Sequence, residues 1–276
     1  NVIVEDNEAP TIGTAAADET VECDGAGNTV ALMAWLNNNG GAAATDNCSA
    51  VTWSNDFTTM ANTCGGASAV QVVFTATDAA GNTSTTSATF TIEDTTAPTI
   101  TAQAANSTVE CDGAGNMTEF NAWLNNNGGA TASEDCSSVT WSNNYLGDDG
   151  EGGTNDFSNG CGATGAITVT FTATDNCGNA SETQAIFTIE DTTDPTALAK
   201  DVTVTLDATG AGTLNPQAMD NGSSDGCGTV SFGASQMSFT CADLGANTVT
   251  LTVTDECSNS ATATATVTVE DNTAPA

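Results

Sequence analysis

Histidine is absent from this 276-residue chain, and Lys200 is its only basic residue. The first absence removes the usual base for a serine or cysteine nucleophile and rules out histidine-bearing zinc sites. The second leaves nothing to neutralise phosphates, so nucleic acid is excluded as a partner, and attraction to an anionic membrane is not expected either. No apolar run is long enough for a membrane span, so no direct membrane insertion is expected. Walker and Rossmann glycine loops are missing; the glycines sit in turns. Aromatic residues make up 5% of the chain and prolines number five.

What remains is small and polar, with a formal charge of -34. Such a composition can signal disorder. Alternating strand patterns, recurring tryptophans and ten cysteines argue for folded, disulfide-bearing domains in an oxidising, extracytoplasmic setting.

One run orders the whole chain. Phe90-Thr-Ile-Glu-Asp-Thr-Thr-Ala-Pro98 returns as Phe187-Thr-Ile-Glu-Asp-Thr-Thr-Asp-Pro195, with worn copies at Val4–Pro10 and Val269–Pro275. Each is a strand ending in two acids, a short junction and a proline. The Glu-Asp pairs are 88, 97 and 80 residues apart, each interval the size of one small domain. The expected division is 1-5 as the end of a preceding repeat, 6-94, 95-191 and 192-271 as three repeats, and 272-276 as the next junction.

In the first repeat, Thr20–Cys23 reads as a short strand. Leu32, Trp35 and Leu36 lie at helical spacing, with Asn28 or Thr29 as cap and Asn37–Gly41 as stop. Val70–Asp78 and Thr86–Glu93 form the best hairpin, with Val70, Val72, Phe74 and Ala76 on one face. The second repeat copies this plan and adds the acidic loop Leu146–Asn155, either a tolerated insertion or a further cation site. The third keeps the hairpin and loses the helix. The fold class expected is all-β: tandem immunoglobulin-like antiparallel β-sandwich repeats, the first two with a short accessory helix.

The cysteines fall into four positions. The second repeat fills all four with Cys111, Cys136, Cys161 and Cys177; the first lacks the fourth and the third lacks the first. Because the middle two recur every time, the expected bridges are Cys48–Cys64, Cys136–Cys161 and Cys227–Cys241, with Cys111–Cys177 as the outer pair and Cys23 and Cys257 unpaired. Spacing alone leaves open a crossed pairing of first with third and second with fourth.

The acids are the candidate chemistry. Calcium takes six to eight hard oxygens. The sets that could supply some of them are Glu93, Asp94, Asp78 and Asn82; Glu190, Asp191, Asp175 and Asn179; and Glu270, Asp271, Asp255 and Asn259. Asp46 and Asp24 are further loop acids near the first set. Asp78 sits at the hairpin turn and Glu93 a strand length away, so one site holding both needs neighbouring repeats, with Glu93 and Asp94 meeting Asp175 and Asn179. Asp78 and Asn82 also fit a side-chain-stabilised turn, and Glu93-Asp94 a solvated linker. Asp148, Asp149 and Glu151 share one loop rather than facing across a cleft, so no enzyme is expected and no catalytic residues are assigned. Trp35, Trp53, Trp123 and Trp141 recur in phase with the core pattern; exposed, they would instead suggest a glycan- or surface-binding module.

Several segments carry a family likeness: Glu22-Cys-Asp-Gly25, Asp46-Asn-Cys48, Thr75-Ala-Thr-Asp78, Gly81-Asn82 and Glu93 to Pro98, with Asp225-Gly-Cys227 and Phe239-Thr-Cys241 in the third repeat. They resemble the HYR-like, immunoglobulin-related repeats of large bacterial surface proteins, and more closely the repeats of SprB-type gliding adhesins of Bacteroidetes. The resemblance implies a sandwich fold, secretion to the outer cell surface, a long filament and a role in adhesion or gliding. The partners it implies are neighbouring repeats of the same chain and a surface polysaccharide or a host or substrate surface. Its commoner two-cysteine form supports the middle pairing. O-glycosylation at Thr95 and Thr192 is also implied, and Ser258-Asn259, replacing the usual Gly-Asn turn, departs from the pattern.

Overall fold

A computed structural model describes residues 3–64, 66–147, 157–158 and 160–272. The first repeat runs β1 Thr11–Thr14, β2 Glu19–Glu22, α1 Thr29–Asn37, β3 Ala43–Thr45, β4 Thr52–Asn55, β5 Ala61–Cys64, β6 Ala67–Thr77 and β7 Thr83–Glu93. The second runs β8 Thr99–Ala102, β9 Ser107–Glu110, α2 Met117–Asn125, β10 Thr131–Ser133, β11 Thr140–Asn143, β12 Gly165–Thr174 and β13 Ala180–Glu190. The third runs β14 Val202–Thr205, β15 Ala211–Thr213, β16 Val230–Ala234, β17 Ser238–Thr240, β18 Gly245–Asp255 and β19 Ser260–Glu270.

The three large sheets share one strand order: β2-β7-β6-β4, β9-β13-β12-β11 and β14-β19-β18-β16, and each repeat adds a two-stranded ribbon, β1-β3, β8-β10 and β15-β17. Pairing is antiparallel except at one short edge strand per sheet, where β2, β9 and β14 run parallel to β7, β13 and β19. The expected hairpin is present, Thr77 opposite Thr83 at the turn end and Ser68 opposite Ile92 at the other. Strand alternation sends Val72, Phe74 and Ala76 inward, each fully buried, while Gln71, Val73, Thr75 and Thr77 take the outer face. Val70 is only half-buried.

The helix forms as the spacing predicts, burying Leu32, Trp35 and Leu36 against Phe74, Phe90 and Ile92. Asn28 does not cap it through its side chain, which is a correction to expectation. It adopts a left-handed conformation, donates from Nδ2 to the Glu22 carbonyl and accepts from the Asp24 N–H. In α2 the Leu32 position is Phe120, whose ring meets Trp123, Tyr145, Phe157 and Phe187 at centroid distances of 6.1, 4.8, 5.0 and 5.2 Å. The third repeat replaces the helix with a 3-10 turn, Pro216–Met219, whose Met219 is fully buried among Leu206, Phe239 and Leu251.

By contacts the chain divides into two compact units that do not follow the repeat boundaries. One comprises Asn1–Gln103, Ala130–Asn143 and Phe171–Thr183; the other comprises Ala104–Gly129, Asn144–Thr170 and Gln184–Ala276. The first unit holds the whole first sheet, the ribbon β8-β10 and the β11 pairing with the end of β12. The second holds α2, the β9-β13 pair and the third sheet. No helix among the described residues is long and apolar enough to cross a membrane.

Candidate functional site: acid clusters and cross-repeat bridges

The hairpin turn fixes the first component. Asp78 Oδ1 accepts from the Asn82 N–H at 2.8 Å, and Asp78 Oδ2 accepts from Asn82 Nδ2 at 2.7 Å. Asp175 with Asn179 and Asp255 with Asn259 repeat this clasp. Burial pushes the Asp78 and Asp175 carboxyls up, but the asparagine and backbone donors outweigh it and leave both below the ordinary range. The side-chain-stabilised turn is therefore present at all three hairpins.

Each clasp also reaches the acid at the junction that precedes its repeat's first strand. Asn82 Nδ2 donates to the Asp6 carbonyl, Asn179 Nδ2 to the Asp94 carbonyl and Asn259 Nδ2 to the Asp191 carbonyl, at 3.1, 2.9 and 3.1 Å. The geometry brings Asp94 to Asp175 and Asn179. It does not bring Glu93. Alternation along β7 buries Ile92 and Asp94 and turns Glu93 to solvent; Glu190 and Glu270 face outward for the same reason. Asp271 is exposed as well.

A third acid, largely missed by sequence reasoning, completes each cluster. Asp6 lies with Asp46 and Asp78, Asp94 with Glu134, and Asp191 with Asp225, their ligand atoms within 4.8 Å of one another. Of the three, Asp46 alone was singled out from sequence. The signal was an acid two residues before the second cysteine, in Asp46-Asn-Cys48, Glu134-Asp-Cys136 and Asp225-Gly-Cys227. Asp24 is elsewhere, accepting from the Ala26 and Asn28 N–H groups inside its own turn.

Asp94 is the distinctive member. It is 7% exposed, and neither carboxylate oxygen has a hydrogen-bond partner. Burial, then the charges of Asp175 and Glu134, push its carboxyl above the ordinary value. Asp191 is raised by burial and by Asp225 and Asp255. A buried, unpartnered carboxylate facing other acids is costly unless a cation neutralises it. Asp6, Asp46 and Asp78 offer only hard oxygens, which fits calcium better than a thiol-seeking metal, whereas the third atom beside Asp94 and Glu134 is the Cys136 sulfur and beside Asp191 and Asp225 the Cys227 sulfur. The nearby Cys136 and Cys227 sulfurs are in disulfides.

Those disulfides correct the expected pairing. Cys23 joins Cys136, Cys111 joins Cys227 and Cys161 joins Cys257, while Cys177 is also disulfide-bonded. Cys48 and Cys241 are free and exposed. None of Cys48–Cys64, Cys136–Cys161, Cys227–Cys241 or Cys111–Cys177 forms. The bridges run between repeats because strand-end and loop cysteines of successive repeats approach to Cα separations of 5.0 to 6.0 Å. Each bridge lies within one compact unit. Glycines permit the approach. Gly25 has φ 70°, and a Cβ there would stand 2.6 Å from the Asp135 carbonyl oxygen; Gly113 makes the same approach to the Gly226 carbonyl.

A final junction feature involves the expected glycosylation positions. Glu22 accepts from the Thr95 N–H and hydroxyl at 2.7 and 2.9 Å and from the Thr96 hydroxyl at 2.9 Å; Glu110 holds Thr192 and Thr193 in the same way. These donors hold both glutamates below the ordinary carboxyl range.

Trp35 is buried, and Trp53, Trp123 and Trp141 are half-buried. The indole N–H groups of Trp35 and Trp123 donate to the Ala17 and Ala105 carbonyls. The loop acids Asp148, Asp149 and Glu151 lie outside the described residues.

No protein-family model matches the chain, and no curated protein matches it in sequence. Solved structures do align. The human desmocollin-1 ectodomain matches over 98% of this chain and 63% of that one, at 9% identity and TM-score 0.26. Mouse cadherin-23 EC22-24 matches over 96% and 100%, at 11% identity and TM-score 0.31. An I-band fragment of titin matches over 95% and 99%, at 11% identity and TM-score 0.31. At these scores the likeness says nothing of function. The strand order common to all three sheets makes the chain a tandem array of immunoglobulin-like β-sandwich repeats.

Proposed function

We propose that this chain is part of the extended stalk of a secreted bacterial cell-surface adhesin, serving adhesion or gliding, built from three repeats at 6-94, 95-191 and 192-271. Its task is mechanical: to space a binding region away from a cell and to bear load. The observation that carries this reading is covalent. Cys23–Cys136, Cys111–Cys227 and Cys161–Cys257 each tie one repeat to the next. Bridges that close loops of 96 to 116 residues restrict the unfolded chain strongly, and they keep successive repeats attached under tension.

The acid clusters belong to the same design. Calcium is the cation assigned to them, held at Asp94 and Glu134 near Asp175, at Asp6, Asp46 and Asp78, and at Asp191 and Asp225 near Asp255. Bound there, it neutralises carboxylates where one repeat begins and the previous one ends, and the turn clasps fix the backbone beside it. A polysaccharide or host surface is the partner of the wider adhesin, and the outer cell surface its location.

The test is small-angle scattering of the whole chain with calcium, with chelator and with reductant, at fixed ionic strength. A particle that lengthens or stiffens with calcium and loosens on reduction supports the reading. Dimensions indifferent to both treatments would remove it.

A further inference from the structure

The bridges follow a register. The first-position cysteine of one repeat bonds the second-position cysteine of the next, in Cys23–Cys136 and again in Cys111–Cys227. The third-position Cys161 bonds the fourth-position Cys257 of the following repeat. Cys48 holds the second position and Cys241 the third, and both are free and exposed.

We propose that Cys48 and Cys241 are open ends of these same staples, each reserved for a further repeat of this design. Cys48 takes a cysteine at the end of a Glu-Cys-Asp-Gly strand, equivalent to Cys23 and Cys111. Cys241 takes a hairpin-turn cysteine, equivalent to Cys257.

Two observations beyond the free thiols support the Cys48 end, while the Cys241 end rests on the Cys161–Cys257 pairing of third with fourth position. First, Cys48 is presented as its bonded counterparts are. Its N–H donates to Asp46 at 2.9 Å, as Cys227 donates to Asp225 at 2.7 Å and Cys136 to Glu134 at 3.3 Å. Second, the leading face of the first repeat is built like those of the second and third. Asn82 clasps the Asp6 carbonyl just as Asn179 clasps Asp94 and Asn259 clasps Asp191. The docking surface is thus complete on a repeat whose staple is unfilled. A second copy of this chain cannot fill it, because Cys23, Cys111, Cys177 and Cys257 are already bonded. Ala80 stands at the fourth position of the first repeat, so that face forms one staple where the second repeat's face has cysteines for two. The inference does not depend on cation binding.

Each new bridge forms by thiol–disulfide exchange with a small disulfide such as oxidised glutathione. One protein thiolate attacks it and releases one small thiol. The second protein thiolate then attacks the mixed disulfide and releases the other. Two protein thiols are oxidised, one small disulfide is reduced, and the two protons end on the released thiols.

The experiment extends the chain at either end. In one fusion a copy of residues 95–191 replaces residues 1–6, so that its terminal Asp191 stands in for Asp6. After refolding in a glutathione redox buffer, non-reducing peptide mapping should show Cys48 bonded to the added copy's Cys111. Ala80→Cys in that fusion should capture the added copy's Cys161. In a second fusion the same copy follows Asp271, and Cys241 should bond the added Cys177. Cys48 or Cys241 still alkylated by iodoacetamide while Cys23–Cys136 and Cys111–Cys227 are intact would overturn the proposal. Bonding to the wrong added cysteine would overturn it too. If one fusion fails to form its native bridges, the other decides.

Discussion

The Asn179 side-chain nitrogen donates to the backbone carbonyl of Asp94 at 2.9 Å, across 85 positions of sequence. This bond ties the turn of one hairpin to the end of the previous one, and it leaves the Asp94 carboxylate buried with nothing to accept from. The clasp and the unmet charge lie on the same residue.

Asn179→Ala removes the tie and one donor to Asp175 together. A lost bond of this kind costs about 1 kcal/mol, and more when buried groups are left unpaired. Urea unfolding should show a lower midpoint with an unchanged slope.

Asp94→Asn should separate the charge from the fold. Without metal, the variant should equal or exceed the parent in melting temperature, since a buried unpartnered charge is gone. The calcium-induced gain in melting temperature should shrink. At about one hundred times Kd a single site contributes about 2.7 kcal/mol. A variant that keeps the full calcium gain would refute a site at Asp94.

Acid should act in two directions. Asp94 and Asp191 are raised in the folded protein, so the folded state binds protons more readily than the unfolded chain. Without metal, their contribution should grow as pH falls through their raised values toward about 4, the unfolded value. Glu22 and Glu110 are depressed, so their contribution is complete above the unfolded value of about 4.3 and is lost as pH falls below it. Melting temperature against pH, without calcium, should rise slightly on mild acidification and fall below about pH 4. Calcium should abolish the rise, because it competes with those protons.

Reduction should lower stability steeply. Closing a loop of about 100 residues contributes about 4 to 5 kcal/mol in a chain-entropy account. Differential scanning calorimetry with and without reductant should show transitions separated widely, with free-thiol titration confirming that the bridges opened.

Gly25→Ala tests the close approach. The added methyl meets the Asp135 carbonyl at a residue already in the left-handed region, so both sterics and backbone oppose it. The expected result is slower or incomplete Cys23–Cys136 formation in mapped refolding. Gly27→Ala, where nothing stands within 4 Å but φ is 82°, controls for backbone strain alone.

The hairpins, both helices and the buried face of β6 were legible because alternation and helical spacing act over a few residues. The clasp at Asp78 and Asn82 was legible for the same reason. Phe120 was less so: its position matches Leu32, and only packing shows an aromatic cluster around it. Glu93 was placed beside Asp94 because adjacency in sequence was read as adjacency in space. Strand alternation sends the two to opposite faces.

The array of repeats, its junction acids and its hairpins were determined by local pattern, which a chain of amino acids carries in plain view. The partners of Cys23, Cys111 and Cys161, and the meeting of Asp94 with Glu134, were decided only in three dimensions. Such contacts join residues tens of positions apart in different repeats, and spacing within one repeat holds no record of how the next one docks.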